Sequence, residues 1–193
     1  MMVFFEGVSC AGKTFLIEAI KNSNPKKIFV VPELPVEYGK IKNVNEFCRN
    51  NDERKCKVAG EQSKKGVVLV DRGYLSTLAY NYIQYKLGIS QEYQKTISWY
   101  IKKTACEKLV KPDLYVFINI NRSLAIKRAK KLNRFNKSIA WYRDPTIANT
   151  YYKNFFDMFE QQVPLLEFNG EENLETMVNI FWKKVDEIER QNS

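Results

Sequence analysis

Eight residues near the start of the chain, Gly7 to Thr14, have the types and spacing that bind phosphate groups. They fit the pattern G-x-x-x-x-G-K-[ST], in which small residues let successive backbone N–H groups converge on an anion at the start of a helix. Lys13 would reach the terminal phosphates of a nucleoside triphosphate, and the Thr14 hydroxyl would bind Mg²⁺. The loop residues assigned to the nucleotide are Gly7, Cys10, Ala11, Gly12, Lys13 and Thr14. The sequence therefore predicts a site for ATP and Mg²⁺.

Three charged residues at predicted strand ends could supply the remaining chemistry of phosphoryl transfer. Glu33 follows the second predicted strand, and Asp71 and Arg72 follow the third. Because parallel strands end at one edge of a sheet, these side chains are expected to lie beside the phosphate-binding loop. Asp71 would join Thr14 in holding Mg²⁺. Arg72 would clamp a phosphate, and it would point away from Asp71 if the strand continued.

A basic segment from about residue 127 to 145 is predicted to form a lid over the phosphates. Its helical part carries several cations, with Leu132 expected on the buried face, and residues 135–145 are expected to form an exposed loop. Arg128 is assigned to the nucleotide and Arg134 to catalysis. An arginine that neutralises the transition state is worth ~10³-fold or more in rate, which gives such a lid a catalytic purpose.

The elements that must position these residues alternate between strands and helices. Five strands are predicted near residues 3–6, 28–31, 67–70, 114–120 and 165–168. Among the helices, one is expected from Gln91 to Val110 and another is expected to be capped by Ser123. This alternation favours a parallel sheet covered by helices on both faces. We therefore predict a three-layer α/β/α fold with a five-stranded parallel sheet and a helical lid, in one domain over residues 1–193.

Composition limits the partners and the chemistry. The chain has 193 residues, a formal net charge of +9 and no histidine. The positive charge favours an anionic partner, and the lack of histidine leaves acid–base work to carboxylates, lysine and arginine. The four cysteines form no C-x-x-C pair, which predicts a reduced, cytoplasmic setting. No apolar run approaches the ~20 residues that would span a membrane.

Several motifs, in order, resemble the thymidylate kinase and deoxynucleoside kinase branch of P-loop phosphotransferases. Phe5–Gly7 before the loop, Asp71–Arg72 followed by Ser76–Tyr80, and Lys111–Leu114 before the fourth strand are similar to thymidylate kinases. Asn81 stands where those enzymes have a base-reading glutamine, so it is assigned to the substrate. The resemblance spans nearly the whole chain. It implies a P-loop NTPase fold and ATP-dependent phosphorylation of a nucleoside monophosphate, dTMP to dTDP.

Two departures from thymidylate kinases bring in an alternative acceptor. Ser9 stands where those enzymes carry an acidic residue, and Pro32–Leu34 stands where they have Arg-Glu-Pro. Val31–Glu33 is instead similar to deoxynucleoside kinases, in which this glutamate acts as base toward the sugar 5′-hydroxyl. Those enzymes tend to have Glu-Arg-Ser where this chain has Asp71–Gly73. The alternative hypothesis is therefore a deoxynucleoside kinase, with Glu33 and Arg72 as catalytic and substrate-binding residues.

Two hypotheses outside the kinases are also kept. A nucleotide-dependent binding protein would use the loop without an acceptor, although an N-K-x-D guanine signature is missing because Ile139 follows Asn136–Ser138. A nucleic-acid-binding protein would use the +9 charge, with salt-sensitive binding that needs no ATP. We favour the kinase over both. The expected partner is a nucleoside or nucleotide, without membrane or nucleic acid, and a homodimer is allowed.

Overall fold

The computed structural model of the chain describes residues 1–24, 26–34, 43–136, 139–159 and 163–191. The strands are β1 (Met2–Glu6), β2 (Ile28–Val31), β3 (Val67–Asp71), β4 (Leu114–Asn119) and β5 (Leu165–Asn169). The helices are α1 (Lys13–Ser23), α2 (Val44–Ser63), α3 (Tyr74–Lys86), α4 (Glu92–Ala105), α5 (Arg122–Lys131), α6 (Ala140–Arg143), α7 (Pro145–Phe159) and α8 (Leu174–Gln191). No helix in these described ranges is long and apolar enough to cross a membrane.

The five strands form one parallel sheet in the order β2-β3-β1-β4-β5. β1 lies in the centre, where Phe5 is opposite Asp71 of β3 and Val116 of β4. In this register β1 and β3 end next to each other at the same edge of the sheet. The phosphate-binding loop and Asp71 therefore begin beside each other, and the predicted five-stranded sheet is confirmed.

Two neighbouring phenylalanines of β1 show that helices cover both faces of the sheet. The ring of Phe4 packs on Tyr74 of α3 with a centroid distance of 5.9 Å, and the ring of Phe5 packs on Phe181 of α8 at 6.0 Å. Successive side chains of a strand point to opposite faces, so α3 and α8 lie on opposite sides. The predicted three-layer α/β/α architecture is confirmed.

Two helix boundaries differ from the predictions. The helix expected to reach Val110 ends at Ala105, and the chain turns there with a positive φ of 55° at Glu107. Asn121, not Ser123, caps α5, because its Oδ1 accepts the Leu124 N–H at 2.9 Å. The Ser123 hydroxyl instead supports the cap by donating to the same oxygen at 2.7 Å.

The basic segment, of which residues 137 and 138 lie outside the described ranges, packs differently than the sequence predicted. Leu132 is exposed instead of buried. The expected loop over residues 135–145 contains the helical turn α6, in which Ala140 and Tyr142 are buried. The prediction weighed the charges of this segment and overlooked its aromatic pair, Trp141 and Tyr142, whose apolar area favours burial.

Two glycine substitutions test the tight passage from β1 into the loop. Gly7 has φ of +136°, and a Cβ there would lie 2.5 Å from the Ile118 backbone oxygen. We expect Gly7→Ala to lower the free energy of unfolding by at least about 2 kcal/mol. The control is Gly60→Ala in α2, where a Cβ meets nothing within 4 Å; it should raise stability by up to about 1 kcal/mol. Urea unfolding measures both, and equal effects would contradict the description of the loop.

Candidate active site

The loop from Gly7 to Thr14 turns β1 into α1 through a strained backbone. Gly7, Cys10 and Gly12 have positive φ angles. Gly12 precedes α1 and offers no side-chain cap, so the first N–H groups of the helix are available to a bound anion. The sequence prediction placed the nucleotide phosphates at this point.

Lys13 lies across the loop that it belongs to. Its ammonium donates to the carbonyl oxygens of Gly7 and Val8, each at 2.9 Å, and the side chain is buried. Burial, and after it the like charge of Arg72, lower the pKa of Lys13 to about 8. A phosphate group entering the loop would supply the negative charge that this buried ammonium lacks.

Thr14 and Asp71, the two residues that the sequence assigns to Mg²⁺, lie in direct contact. The Thr14 hydroxyl donates to Asp71 Oδ2 at 2.7 Å, and Asp71 Oδ1 is buried without a hydrogen-bond partner. Within the described ranges no group of three or more acidic, cysteine or histidine side chains could hold a metal. One hydroxyl and one carboxylate suit Mg²⁺, which usually takes few protein ligands and completes its shell with phosphate and water.

Arg72 turns out of the sheet and toward the loop. β3 ends at Asp71, and Arg72 has a left-handed φ of 61°, so the strand continuation that would have pointed it away does not occur. Its Nη1 donates to the Gly7 carbonyl at 2.8 Å and to Ser76 Oγ at 3.3 Å. Its Nε lies 2.8 Å from Glu33 Oε1. The guanidinium is buried. Burial works to lower its pKa, but neighbouring acidic groups, Glu33 first, outweigh burial and the pKa is raised.

Glu33 follows β2, and its carboxylate contacts the Arg72 guanidinium. Its side chain is half exposed. Burial works to raise the pKa of Glu33, but the charges of Arg72 and Lys13 outweigh it and the pKa is lowered. The Glu33 backbone oxygen accepts a 2.8 Å hydrogen bond from Asn51 of α2. The carboxylate is thus ionised and tied to the arginine.

Two cavities meet at Glu33 and Arg72, which line both. The larger has about 550 Å³ and contains the phosphate-binding loop; we call it the donor cavity after the predicted ATP site. The smaller has about 280 Å³ and lies between α2, α3 and α6; we call it the acceptor cavity because Asn81, the predicted substrate residue, lines it. A group bound in one cavity would therefore touch a group bound in the other beside this ion pair.

Polar side chains of α2 and α3 form one wall of the acceptor cavity. Lys55 binds Asp52 at 2.9 Å and donates to the Arg72 carbonyl at 2.6 Å. The Thr77 hydroxyl donates to the other Asp52 oxygen at 2.6 Å. Asn81 donates to the Thr77 carbonyl at 3.0 Å, and its buried Oδ1 has no partner. Asn81, the predicted substrate residue, therefore lines the acceptor cavity, and its Oδ1 is available to accept a hydrogen bond.

The assigned arginines of the basic segment lie along the donor cavity. Arg128 donates to the Ala11 carbonyl at 2.9 Å and to the Gly170 carbonyl at 2.6 Å, so it joins the phosphate-binding loop to the turn before α8. Arg134 is exposed on the cavity wall. Leu132 lines the same wall, which accounts for its exposure.

Three residues of the site were missed by the sequence analysis. Glu6 is fully buried and accepts hydrogen bonds from the Gly73 N–H at 2.9 Å and from Ser76. A charged residue ending an apolar strand was the available signal. Trp141 and Tyr142 of α6 line the acceptor cavity and contact the phosphate-binding loop, respectively. Their aromatic character indicated burial, but their contacts could not be predicted because the partners lie far away in the sequence.

The parallel sheet, the loop between β1 and α1, and the acidic residue at the end of β3 define a P-loop NTPase fold. No protein-family model matches the sequence. The chain is similar to three solved structures of deoxyadenosine kinase from M. mycoides. The structure with bound dATP has a TM-score of 0.72 at 18% identity, covering 96% of this chain and 100% of that chain.

The other two structures give the same result. The structure with bound dCTP has a TM-score of 0.70 at 20% identity, and the one with the products dCMP and a flexible dCDP has 0.66 at 19%. Each covers 97% of this chain and 100% of that chain. These likenesses show that the fold is that of a P-loop deoxynucleoside kinase.

The pH dependence of stability tests the buried Glu6. Burial raises the pKa of Glu6 to about 7 in the folded chain, so the folded state holds a proton that the unfolded state has released. Stability should therefore fall as the pH rises from about 4.5 to 7, by up to roughly 3 kcal/mol from this group. The free energy of unfolding, measured in urea, should not show this fall in Glu6→Gln. It should show the fall in Glu18→Gln, whose side chain is exposed. Parallel curves for all three proteins would contradict the assignment.

Proposed function

We propose that the chain is an ATP-dependent kinase that phosphorylates the 5′-hydroxyl of a deoxynucleoside. The observation that carries the proposal is the ionised Glu33 carboxylate at the junction of the two cavities, 2.8 Å from Arg72. A neutral hydroxyl needs a base at this point, whereas a monophosphate arrives with its nucleophile already ionised. Glu33 takes the hydroxyl proton as the sugar oxygen bonds to the γ-phosphorus, and ADP leaves.

The charges around the acceptor cavity support a nucleoside over dTMP. Its two described cations are already engaged: Lys55 with Asp52, and Arg72 with Glu33. An uncharged nucleoside can bind without breaking either pair, but a phosphate on Arg72 would compete with Glu33. The similarity to deoxyadenosine kinase structures supports the same choice. The dTMP hypothesis, which also has Ser9 against it, is therefore less well supported.

The donor side would be served by the phosphate-binding loop and its neighbours. Lys13 would leave the loop carbonyls for the terminal phosphates of ATP, and Arg128 and Arg134 would line the cavity that holds them. Thr14 and Asp71 would hold Mg²⁺, which neutralises charge on the transferring group when bound.

The other hypotheses receive less support. A binding protein without catalysis needs no second cavity meeting the phosphate-binding loop, and a nucleic-acid-binding protein needs neither cavity. The four cysteines are free, and the reduced, cytoplasmic setting stays a prediction. The homodimer stays a prediction.

Replacement of Glu33 tests the proposal. The wild type should release ADP with at least one of the four deoxynucleosides, measured in a coupled assay beside the four deoxynucleoside monophosphates. Glu33→Gln should lose roughly 10²- to 10⁴-fold in kcat, because the hydroxyl loses its base. The wild-type kcat should also fall at acid pH, as the pH drops through the lowered pKa of Glu33. The kcat of the variant should not show this acid-side fall.

The control for this experiment is Glu18→Gln, on the exposed face of α1, which should keep wild-type kcat. Turnover of monophosphates alone, or undiminished turnover of deoxynucleosides by Glu33→Gln, would contradict the deoxynucleoside assignment. A wild type that turns over no acceptor would reject the kinase.

A further inference from the structure

The short helix α6 contacts the phosphate-binding loop through Tyr142. The Tyr142 hydroxyl lies 2.9 Å from Ser9 Oγ and 3.5 Å from Cys10 Sγ. Its ring packs on Phe135 with a centroid distance of 5.6 Å, and the side chain is buried. The hydroxyl is therefore held against two of the loop residues that precede Lys13.

The preceding residue, Trp141, lies on the acceptor cavity. Its ring is 5.3 Å from the Arg72 guanidinium carbon and 5.2 Å from the ring of Tyr80. A cation over an indole face and a packed aromatic pair each contribute of order 1 kcal/mol. Trp141 thus fixes one side of the cavity and the arginine that both cavities share.

α6 is held in place between these two contacts. Ala140 is 1% exposed and belongs to the main core, and α6 packs on α3 and α7. The short helix has little freedom to move one aromatic side chain without the other. Ser9 and Arg72 therefore contact adjacent residues of the same short helix.

We propose that α6 couples the two cavities, with Tyr142 and Trp141 as positioning residues. This inference rests on the proposed function, because it takes the donor cavity to hold ATP and the acceptor cavity a deoxynucleoside. Nucleotide phosphates in the loop fix Ser9 and Cys10, these residues fix Tyr142, and Tyr142 thereby fixes the position of Trp141 against the acceptor. By linkage, the acceptor must tighten nucleotide binding by the same factor.

Tryptophan fluorescence tests the donor half of this coupling without an acceptor. The probe is the Mg²⁺ complex of the non-hydrolysable β,γ-imido analogue of ATP, whose binding is measured independently by calorimetry. The analogue should change the emission of the wild type, and Trp141→Phe should lose that change. Tyr142→Phe should lose most of it, because α6 is no longer hydrogen-bonded to the phosphate-binding loop through Ser9.

Two further variants make the fluorescence test specific. Ser9→Ala removes the same hydrogen bond from the loop side and should match Tyr142→Phe. Tyr93→Phe removes a hydroxyl that meets Tyr151 instead of the loop, and it should keep the wild-type response.

Calorimetry with 2′-deoxyadenosine tests the acceptor half. The analogue should tighten deoxyadenosine binding roughly five-fold or more in the wild type, and less than about twofold in Tyr142→Phe. If the analogue binds but the emission of Trp141 does not respond, or responds equally in Tyr142→Phe, the coupling is overturned while the kinase proposal stands. If the analogue does not bind to the wild type, the proposed function fails first and the coupling with it.

Discussion

The site depends on one buried cation, the Arg72 guanidinium. A charge taken out of water must be paired and hydrogen-bonded, and removing one partner of such a charge typically costs about 3–5 kcal/mol. Arg72 is 7% exposed, and its partners come from different elements: the Gly7 carbonyl after β1, Glu33 after β2, and Ser76 in α3. Satisfying one guanidinium therefore brings the phosphate-binding loop, the proposed base and the acceptor cavity together.

The sheet makes this pairing possible, and the backbone at Arg72 completes it. Parallel pairing of β1 with β3 sets Phe5 opposite Asp71, so the residues that follow each strand start side by side. A continued strand would have sent Arg72 to the other face. Its left-handed φ turns the side chain back instead, at a strain of order 1 kcal/mol or more that the buried partners must offset.

The sequence was sufficient to predict the sheet, the phosphate-binding loop and the position of Glu33 and Asp71 beside that loop, because strand periodicity and strand ends are local signals. The turn at Arg72 could not be predicted, because a left-handed non-glycine residue is stabilised by partners distant in sequence. The contact of Tyr142 with Ser9 could not be predicted either, because it joins positions 133 residues apart. The basic residues around Tyr142 led instead to the prediction of an exposed loop. Ser9 itself counted against the thymidylate kinase hypothesis, and the structure gives it a partner in α6.

The central claim is that Glu33 serves a neutral sugar hydroxyl, with Arg72 holding the carboxylate in place. A crystal structure with a deoxynucleoside and a non-hydrolysable ATP analogue tests it most directly, through the distance from the 5′-oxygen to the Glu33 carboxylate. We predict a hydrogen bond of about 2.6–3.2 Å, with the Arg72 pair intact. A nucleoside monophosphate that binds instead, with its phosphate on Arg72 and Glu33 displaced, would contradict the account.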